Sequence, residues 1–495
     1  IVGTWISGKV RFRSAGFADQ LLTVGVFSDG GDLPETWNIL DGRNGGWEVF
    51  SLSGLVAMPD ATFTAGSLVK PDLTETVLPQ DPSRGDPYNG DEGVSVNWYN
   101  LPDGVLWLHA QTLTTTAHDL DLFVGRDDNG NRQPDEWEEL CSSTSPDAFE
   151  RCDLHDQPPG NYWIMVQNWE GTNPEGDDVT YRTAAIEYSV DSSLAASGPG
   201  IVGGQEAFDV RVSWDNLAAK PGEIWLGAVG VGTRRETPNN IGVIHVRFSR
   251  EDLPEPETFQ LMNGKTHRLA LAARSEHDRL FIDVPPGAES LTVSASADTQ
   301  ALSDQLELQL LRQDFDTALA NPPFTAPAGN GTVMASASGG GGQGPAVTVS
   351  GGVQAGRWYA VLNNPGSEHA SIEIRADVTS DDAALPIQPG LWQPSSRPDL
   401  YQGYEYNWGG SSRALLWYTY GEDGQPAWYI AADPASEGNI WTADLYRATN
   451  DGAEQQLAPV GAVSITTLAE TDALFSFTLY GESGTDRMTP SSLMT

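Results

Sequence analysis

The sequence predicts an all-β protein made of tandem antiparallel β-sandwiches, of the immunoglobulin or fibronectin type and the jelly-roll type. Three observations predict this class. The 495 residues are too many for a single hydrophobic core, so several domains are expected. The 53 Gly and 32 Pro are spread between short apolar runs, which is typical of strands joined by turns. No long stretch shows the i, i+3, i+4, i+7 apolar spacing of a helix.

Alternating apolar and polar residues divide the chain into successive strand-rich units, and we expect each to be an antiparallel sandwich. A Pro-rich acidic stretch, 78–93, serves as the first boundary. The predicted units are a fibronectin III-like sandwich at 1–77, a second sandwich at 78–190, a short immunoglobulin-like sandwich at 191–255, a fourth sandwich at 256–383, and an aromatic-rich β module at 386–495.

The fourth unit repeats the second. Residues 120–126 match 306–312, and residues 159–168 match 355–364 in the same order and at similar spacing. This pattern predicts a duplicated folding unit. The second copy lacks both cysteines and the acidic loop of the first, and it carries a Gly-rich segment at 336–344 instead.

The charge balance excludes some partners. The 68 acidic residues against 27 Lys and Arg leave a formal charge of −41, which repels phosphate backbones, so we expect no nucleic-acid partner. No apolar run approaches the ~20 residues of a membrane helix, so we expect no membrane span. Ile1 directly precedes strand-like sequence, which suggests a processed product.

The two cysteines, Cys141 and Cys152, lie close together in a polar loop without a CxxC spacing. This arrangement favours a local disulfide over a zinc or redox site. A disulfide implies an oxidising compartment and therefore secretion. The alternative, two free thiols in a cytosolic protein, stays open on these residues alone.

A predicted calcium loop follows the strand at 119–124. Oxygen-bearing residues occupy the positions at which EF-hand loops place their ligands. The candidate ligands are Asp127, Asn129, Asn131, Gln133 (through its backbone carbonyl), Asp135 and Glu138. Arg132 stands where an EF-hand has Gly, and no strong helix flanks the loop, so a thrombospondin-type acidic loop is the better comparison. The alternative is a solvated acidic turn. The second copy, with residues 313–316 at this place, should bind no ion.

These residues support a family resemblance. Asp119 to Val124, the cysteines after it, and the turn and strand from Pro159 to Val166 resemble the pre-peptidase C-terminal domain of secreted bacterial peptidases. The order of units up to about 255 looks like the region after the catalytic domain of secreted subtilisin-like serine peptidases of marine gammaproteobacteria. The last unit resembles a C-terminal module of secreted proteins from those Gram-negative bacteria.

No catalytic residue is predicted on this chain. The string most similar to a subtilase nucleophile motif, 331–335, has Val333 in place of the Ser that a Ser-His-Asp triad requires. The seven His are scattered, and His109 and His245 lie in strand patterns that indicate packing or surface positions. The resemblance implies a non-catalytic accessory region of a subtilase. The alternatives are an extracellular structural or adhesive protein without protease activity and, third, a self-sufficient hydrolase.

Aromatic residues of the last unit suggest a surface for an insoluble polysaccharide or protein. The candidates are Trp417, Tyr418, Tyr420, Trp428, Tyr429 and Trp441. Strand alternation places Trp417 and Thr419 on one side and Tyr418 and Tyr420 on the other, so one side must be core. Core packing is therefore the competing interpretation for these side chains.

Overall fold

The structure is a computed structural model. It describes residues 5–12, 20–27, 30–188, 193–254, 256, 258–320, 333–380, 387–395, 403–409, 412–420, 426–434, 438–450 and 455–491. Ile1 and the first two residues of the 331–335 string lie outside these ranges.

The described residues are almost all strand, which confirms the predicted all-β class. In chain order the strands up to residue 250 are β1 Trp5–Phe12, β2 Gln20–Phe27, β3 Thr36–Asp41, β4 Gly46–Leu52, β5 Thr62–Val69, β6 Asp72–Leu78, β7 Val94–Leu101, β8 Val105–Thr115, β9 Asp119–Arg126, β10 Glu139–Ser143, β11 Arg151–Gln157, β12 Gly160–Glu170, β13 Asp177–Glu187, β14 Leu194–Ser197, β15 Phe208–Trp214, β16 Ile224–Gly232 and β17 Gly242–Arg250.

The later strands are β18 Phe259–Gln260, β19 Thr266–Leu271, β20 Ser275–Val284, β21 Ala288–Ala297, β22 Glu307–Gln313, β23 Val333–Ser338, β24 Ala346–Ser350, β25 Gly356–Asn364, β26 Ala370–Ser380, β27 Gly390–Pro394, β28 Gly403–Gly409, β29 Ser412–Tyr420, β30 Pro426–Pro434, β31 Ile440–Asn450, β32 Gln455–Ala469, β33 Asp472–Leu479 and β34 Glu482–Pro490. The helical segments of the described residues are short: α1 Gln300–Ser303, α2 Phe315–Leu319, and 3-10 turns at Pro87–Asn89 and Glu136–Glu138.

Strands β6 to β13 form a sandwich that we call the first sandwich. Its sheets have the orders β10-β9-β12-β7 and β11-β8-β13-β6. Alternation on β9 turns Leu120, Leu122 and Val124 into the core between the sheets. The predicted disulfide is confirmed: Cys141 on β10 and Cys152 on β11 are bonded. Because each strand is at the edge of its sheet, the bond ties the two layers together.

Strands β18 to β26, the second sandwich, repeat this topology. Read in the corresponding direction, the sheets are β23-β22-β25-β20, with β18 added at the edge beside β20, and β24-β21-β26-β19. The register also repeats. Val124 pairs with Ile164 in the first sandwich, and their sequence counterparts Leu310 and Ala360 pair in the second.

The ranges 1–77 and 191–255 do not form two separate sandwiches. Strands from both ranges share two sheets, β14-β15-β4 and β3-β17-β16-β5, which together we call the interleaved sandwich. Strand β6, placed by sequence in the first unit, instead pairs with β13 of the first sandwich. The correction has a physical cause, because alternation predicts where a strand is and carries no information about which distant strand edge it meets.

The last unit is a closed barrel of eight described strands, β27 to β34, so the expectation of a sandwich there is corrected. Each strand pairs with its chain neighbour, and β34 returns to β27. Closure removes both sheet edges, which two open sheets would have left exposed. The inward side chains are large aromatic and aliphatic residues that fill the interior.

The chain divides into two compact units. Unit one consists of Ile1–Ile39, Phe50–Val210 and Ile224–Ser249, and it contains the first sandwich. Unit two consists of Leu40–Val49, Arg211–Glu223 and Arg250–Thr495, and it contains the second sandwich and the barrel. Among the described residues, no helix has the length and apolar character needed to cross a membrane.

Candidate functional sites

The predicted calcium loop is a curled segment at the end of β9. Asp128 and Asn129 donate their backbone N–H groups to Oε1 of Glu138, at 3.0 and 3.2 Å. The Asn129 and Asn131 amides both donate to Oδ2 of Asp135, at 2.7 and 3.1 Å. The structure therefore brings the loop's first half against its last two predicted ligands.

Backbone geometry explains how Arg132 is tolerated in this loop. Its φ of 55° lies in the left-handed region, which the glycine of an EF-hand loop adopts at the same position. The Arg132 N–H donates to Oδ2 of Asp127 at 3.2 Å, which holds the curl. The substitution therefore changes the residue type and keeps the turn.

The fit of calcium to this loop rests on one buried oxygen. Oδ1 of Asp127 is buried and has no hydrogen-bond partner, whereas the buried Glu138 carboxylate already accepts from the Asp128 and Asn129 N–H groups. Among the described residues, no three His, Cys, Asp or Glu side chains are placed to hold a metal by themselves. A calcium ion here would therefore also need the Asn129 and Asn131 side-chain oxygens and the Gln133 carbonyl.

The six aromatic candidates divide between the inside and the outside of the barrel. Trp417, Tyr429 and Trp441 are buried in its core. Trp417 packs in an aromatic cluster, 5.6 Å from the Tyr404 ring and 4.7 Å from the Phe477 ring. Core packing is therefore the correct interpretation for these three side chains, which are not available as a binding surface.

The other three candidates lie on the outer face and form what we call the outer stripe: Tyr418, Tyr420 and Trp428. Tyr420 is 49% and Trp428 51% exposed. Tyr418 is half-buried and pairs across β29 and β30 with Trp428, which sets the two rings side by side. The Tyr418 hydroxyl donates to Glu405 at 3.0 Å, which fixes the ring.

A histidine network that sequence analysis did not predict lies in unit one. His109 on β8 faces Asp153 on β11, with Nδ1 and Oδ1 2.8 Å apart, and Trp107 also donates to this oxygen, at 2.7 Å. His245 on β17 stacks on the Trp107 ring, with centroids 3.9 Å apart. Its Nε2 lies 2.8 Å from Nε2 of His155.

Burial governs the electrostatics of this network. It lowers the pKa of His109 and of His155, and it lowers that of His245 to about 4. Burial alone would raise the pKa of Asp153, but the His109 hydrogen bond and the nearby Arg151 charge hold it at about 2. His109 and His245 are buried, in agreement with the packing interpretation.

The Asp153–His109 pair resembles two members of a catalytic triad, but its third contact differs. Nε2 of His109 accepts a hydrogen bond from Nε of Arg182 at 3.3 Å, where a triad histidine would face its nucleophile. Trp107 and His109 lie two residues apart on β8, and Asp153 and His155 lie two residues apart on β11. Each pair is therefore expected on one face of its strand. No short-range sequence pattern predicts that His245, on β17, contacts either of these strands.

No protein-family model matches the sequence, and no curated protein is significantly similar to it. Solved structures give weak matches. The M60 catalytic domain with the CBM51-1 and CBM51-2 domains of Clostridium perfringens ZmpB matches at 10% identity and TM-score 0.17, covering 76% of this chain and 42% of that one. The PBSX exported protein XepA matches at 10% identity and TM-score 0.14, covering 62% and 86%.

The secreted serine protease VesC from Vibrio cholerae matches at 10% identity and TM-score 0.14, covering 58% of this chain and 51% of that one. The match therefore spans about half or less of the ZmpB and VesC chains. At these TM-scores, the activities of the three neighbours do not transfer to this chain.

Proposed function

We propose that this chain is a non-catalytic region of a secreted subtilisin-like serine peptidase, and that its barrel attaches the protein to an insoluble polysaccharide or protein. The observation that carries the attachment role is the outer stripe, because three aromatic side chains share one barrel face and two of them are about half exposed. Aromatic rings supply large contact area at little cost in side-chain entropy, and they are enriched where proteins bind.

The peptidase assignment rests on the resemblance of the first sandwich and the terminal module to parts of secreted peptidases. The runner-up is an extracellular structural or adhesive protein that uses the same modules without a protease. The coding sequence upstream of Ile1 separates the two, because a subtilase domain there supports the first and its absence supports the second.

Co-sedimentation tests the attachment role. The full chain is mixed with chitin, cellulose, fibrillar collagen or bacterial cell wall, and binding to at least one is expected. Replacing both exposed rings, Tyr420→Ala with Trp428→Ala, should weaken that binding by about 2 kcal/mol, roughly 30-fold in Kd. Trp98→Ala, on β7 of the first sandwich, is the control and should bind like the unmodified chain. Failure to sediment with all four solids would overturn the proposal.

We also propose that the loop from Asp127 to Glu138 binds calcium and thereby stabilises the first sandwich. The unpartnered Asp127 oxygen supports it, since a buried anionic oxygen is stable when a cation or donors compensate it. Calcium prefers six or more hard oxygens, which the loop supplies from side chains and one carbonyl.

A further inference from the structure

The first sandwich and the interleaved sandwich meet through an apolar patch bordered by the histidine network. The buried part consists of Leu106, Trp107, Ala184, Ile186, Leu226 and Ala228. The first four come from β8 and β13, and the last two come from β16. We call this contact region, together with the network beside it, the junction.

Hydrogen-bond direction shows which protons the histidines carry. Nη2 of Arg151 lies 3.0 Å from Nδ1 of His245, and because Arg can only donate, this nitrogen must accept. The proton of neutral His245 is then on Nε2, which donates to Nε2 of His155. The His155 nitrogen must accept in turn, so both rings are neutral.

The same argument applies to His109. Nε2 accepts from Arg182, and Nδ1 donates to Asp153. The donor from Arg182 leaves no room for a proton on Nε2, so His109 is neutral as well. Adding a proton to any of the three histidines would set two N–H donors against each other.

We propose that the junction is a proton-operated contact: acid protonates the network, breaks its hydrogen-bond chain and separates the two sandwiches while each stays folded. This inference does not depend on the proposed function. The apolar patch holds the sandwiches together at neutral pH, and the network adds to that contact only in its neutral form.

The charges around the network explain why protonation is costly. The titratable and charged groups that face it are Glu35 before β3, Arg151, Asp153 and Asp156 on or at the end of β11, Arg182 on β13, and Arg247 on β17. Asp153, the carboxylate nearest the rings, already accepts hydrogen bonds from His109 and Trp107 and forms an ion pair with Arg151. Glu35 is bound to Arg151 at 2.8 Å. Asp156 accepts a hydrogen bond from the Asn239 amide at 2.9 Å. A new imidazolium would therefore meet arginines, and the carboxylates beside it already have partners.

The sign of the pH effect follows from the lowered pKa values. An exposed histidine titrates near pH 6.5, whereas His245 at the closed junction has a pKa of about 4. The open form therefore binds protons more readily than the closed form. The contact should be fully stable above pH 6.5 and should weaken as the pH falls from 6.5 toward 4.

Hydroxyl-radical footprinting of the full chain tests this inference, because it reports the solvent exposure of side chains. Between pH 7.5 and pH 5, Leu106, Trp107 and Ile186 at the junction should lose about tenfold or more in protection, while Leu122 and Ile164 in the core of the first sandwich keep theirs. The double variant His155→Gln with His245→Gln keeps a donor and an acceptor at each place and removes two of the three titrating rings. Its loss of protection over the same range should be much smaller.

His277→Gln is the control, because His277 is a buried histidine of unit two whose pKa burial also lowers to about 4. This variant should lose junction protection like the unmodified chain. If the double variant does not fold, His155→Gln takes its place; it preserves the stack of His245 on Trp107, removes one titrating ring and should show an intermediate loss. Unchanged protection of Trp107 in the unmodified chain at pH 5 would overturn the proposal, and so would a loss in the junction variant as large as that of the unmodified chain.

Discussion

The first and second sandwiches have the same strand order and the same register, yet they are stabilised by different means. In the first, a disulfide joins the edge strands of the two sheets, and the segment after β9 curls into the acidic loop. In the second, the segment after β22 begins helix α2, and Asp314 caps it by accepting the Thr317 N–H at 2.8 Å. The duplicated topology therefore leaves the connections free to diverge.

The two copies also differ on one face of the corresponding sheets. In the first, Asn161 pairs with Asn100, and both are exposed. Their counterparts in the second are Arg357 and Asp283, a fully buried ion pair with two contacts of 2.8 Å. Arg357 also donates to Thr485 of the barrel at 3.1 Å. The same strand position is thus surface in one copy and module contact in the other.

The largest expected difference between the copies comes from this position. Asp283→Ala leaves the Arg357 guanidinium buried without its carboxylate, which should cost unit two about 3–5 kcal/mol of unfolding free energy. The matched change in the first copy, Asn100→Ala, should stay within about 0.5 kcal/mol because the site is exposed. Urea denaturation of both full-length variants measures the two values. Similar losses would show that the burial difference does not matter.

The disulfide should give the next largest difference. Replacing both cysteines, Cys141→Ser with Cys152→Ser, removes a short loop closure and should lower the unfolding free energy of the first sandwich by about 3 kcal/mol. The second sandwich has no such bond and should be unaffected. Amide exchange at β9 and β12, compared with β22 and β25, resolves the two copies. A parallel loss in both would contradict an effect confined to the first.

Calcium should give a smaller and concentration-dependent difference. At 100 times its Kd, an ion bound only to the folded loop would stabilise the first sandwich by about 2.7 kcal/mol, and chelator should remove this gain. Asp127→Ala with Asp135→Ala should abolish the response, whereas Glu136→Ala, an exposed loop carboxylate outside the ligand set, should preserve it. Thermal melting with calcium and with chelator provides the measurement. An unmodified chain that melts identically in both would exclude the site.

Local patterns were enough to predict several features of this chain. Alternation predicted the strands, and the match of 120–126 to 306–312 predicted a repeat whose strand order and register the structure then showed. The spacing of Cys141 and Cys152 predicted their bond. The loop pattern predicted which residues would approach one another, because a curl of twelve residues is set by its own sequence. Whether the loop binds calcium remains a prediction.

The aromatic module could be predicted only in part. Alternation predicted that Trp417 and Tyr418 would face opposite sides, and they do. It did not predict which side would be core, because that choice depends on the direction in which the sheet curves and closes. Once the barrel closes, Trp417 is inside and Trp428, on the neighbouring strand, is outside.

The fold class, the strands, the repeat and the contacts that close over a few residues could all be predicted from the amino-acid order. The pairing of 1–77 with 191–255, the barrel, the buried Arg357–Asp283 pair and the contact of His245 with Trp107 and His155 became visible only in the folded chain. The two groups differ in the range of the interactions. Periodicity and turn chemistry act between near neighbours, whereas these contacts join residues 74 or more positions apart in the chain, or depend on how whole sheets pack.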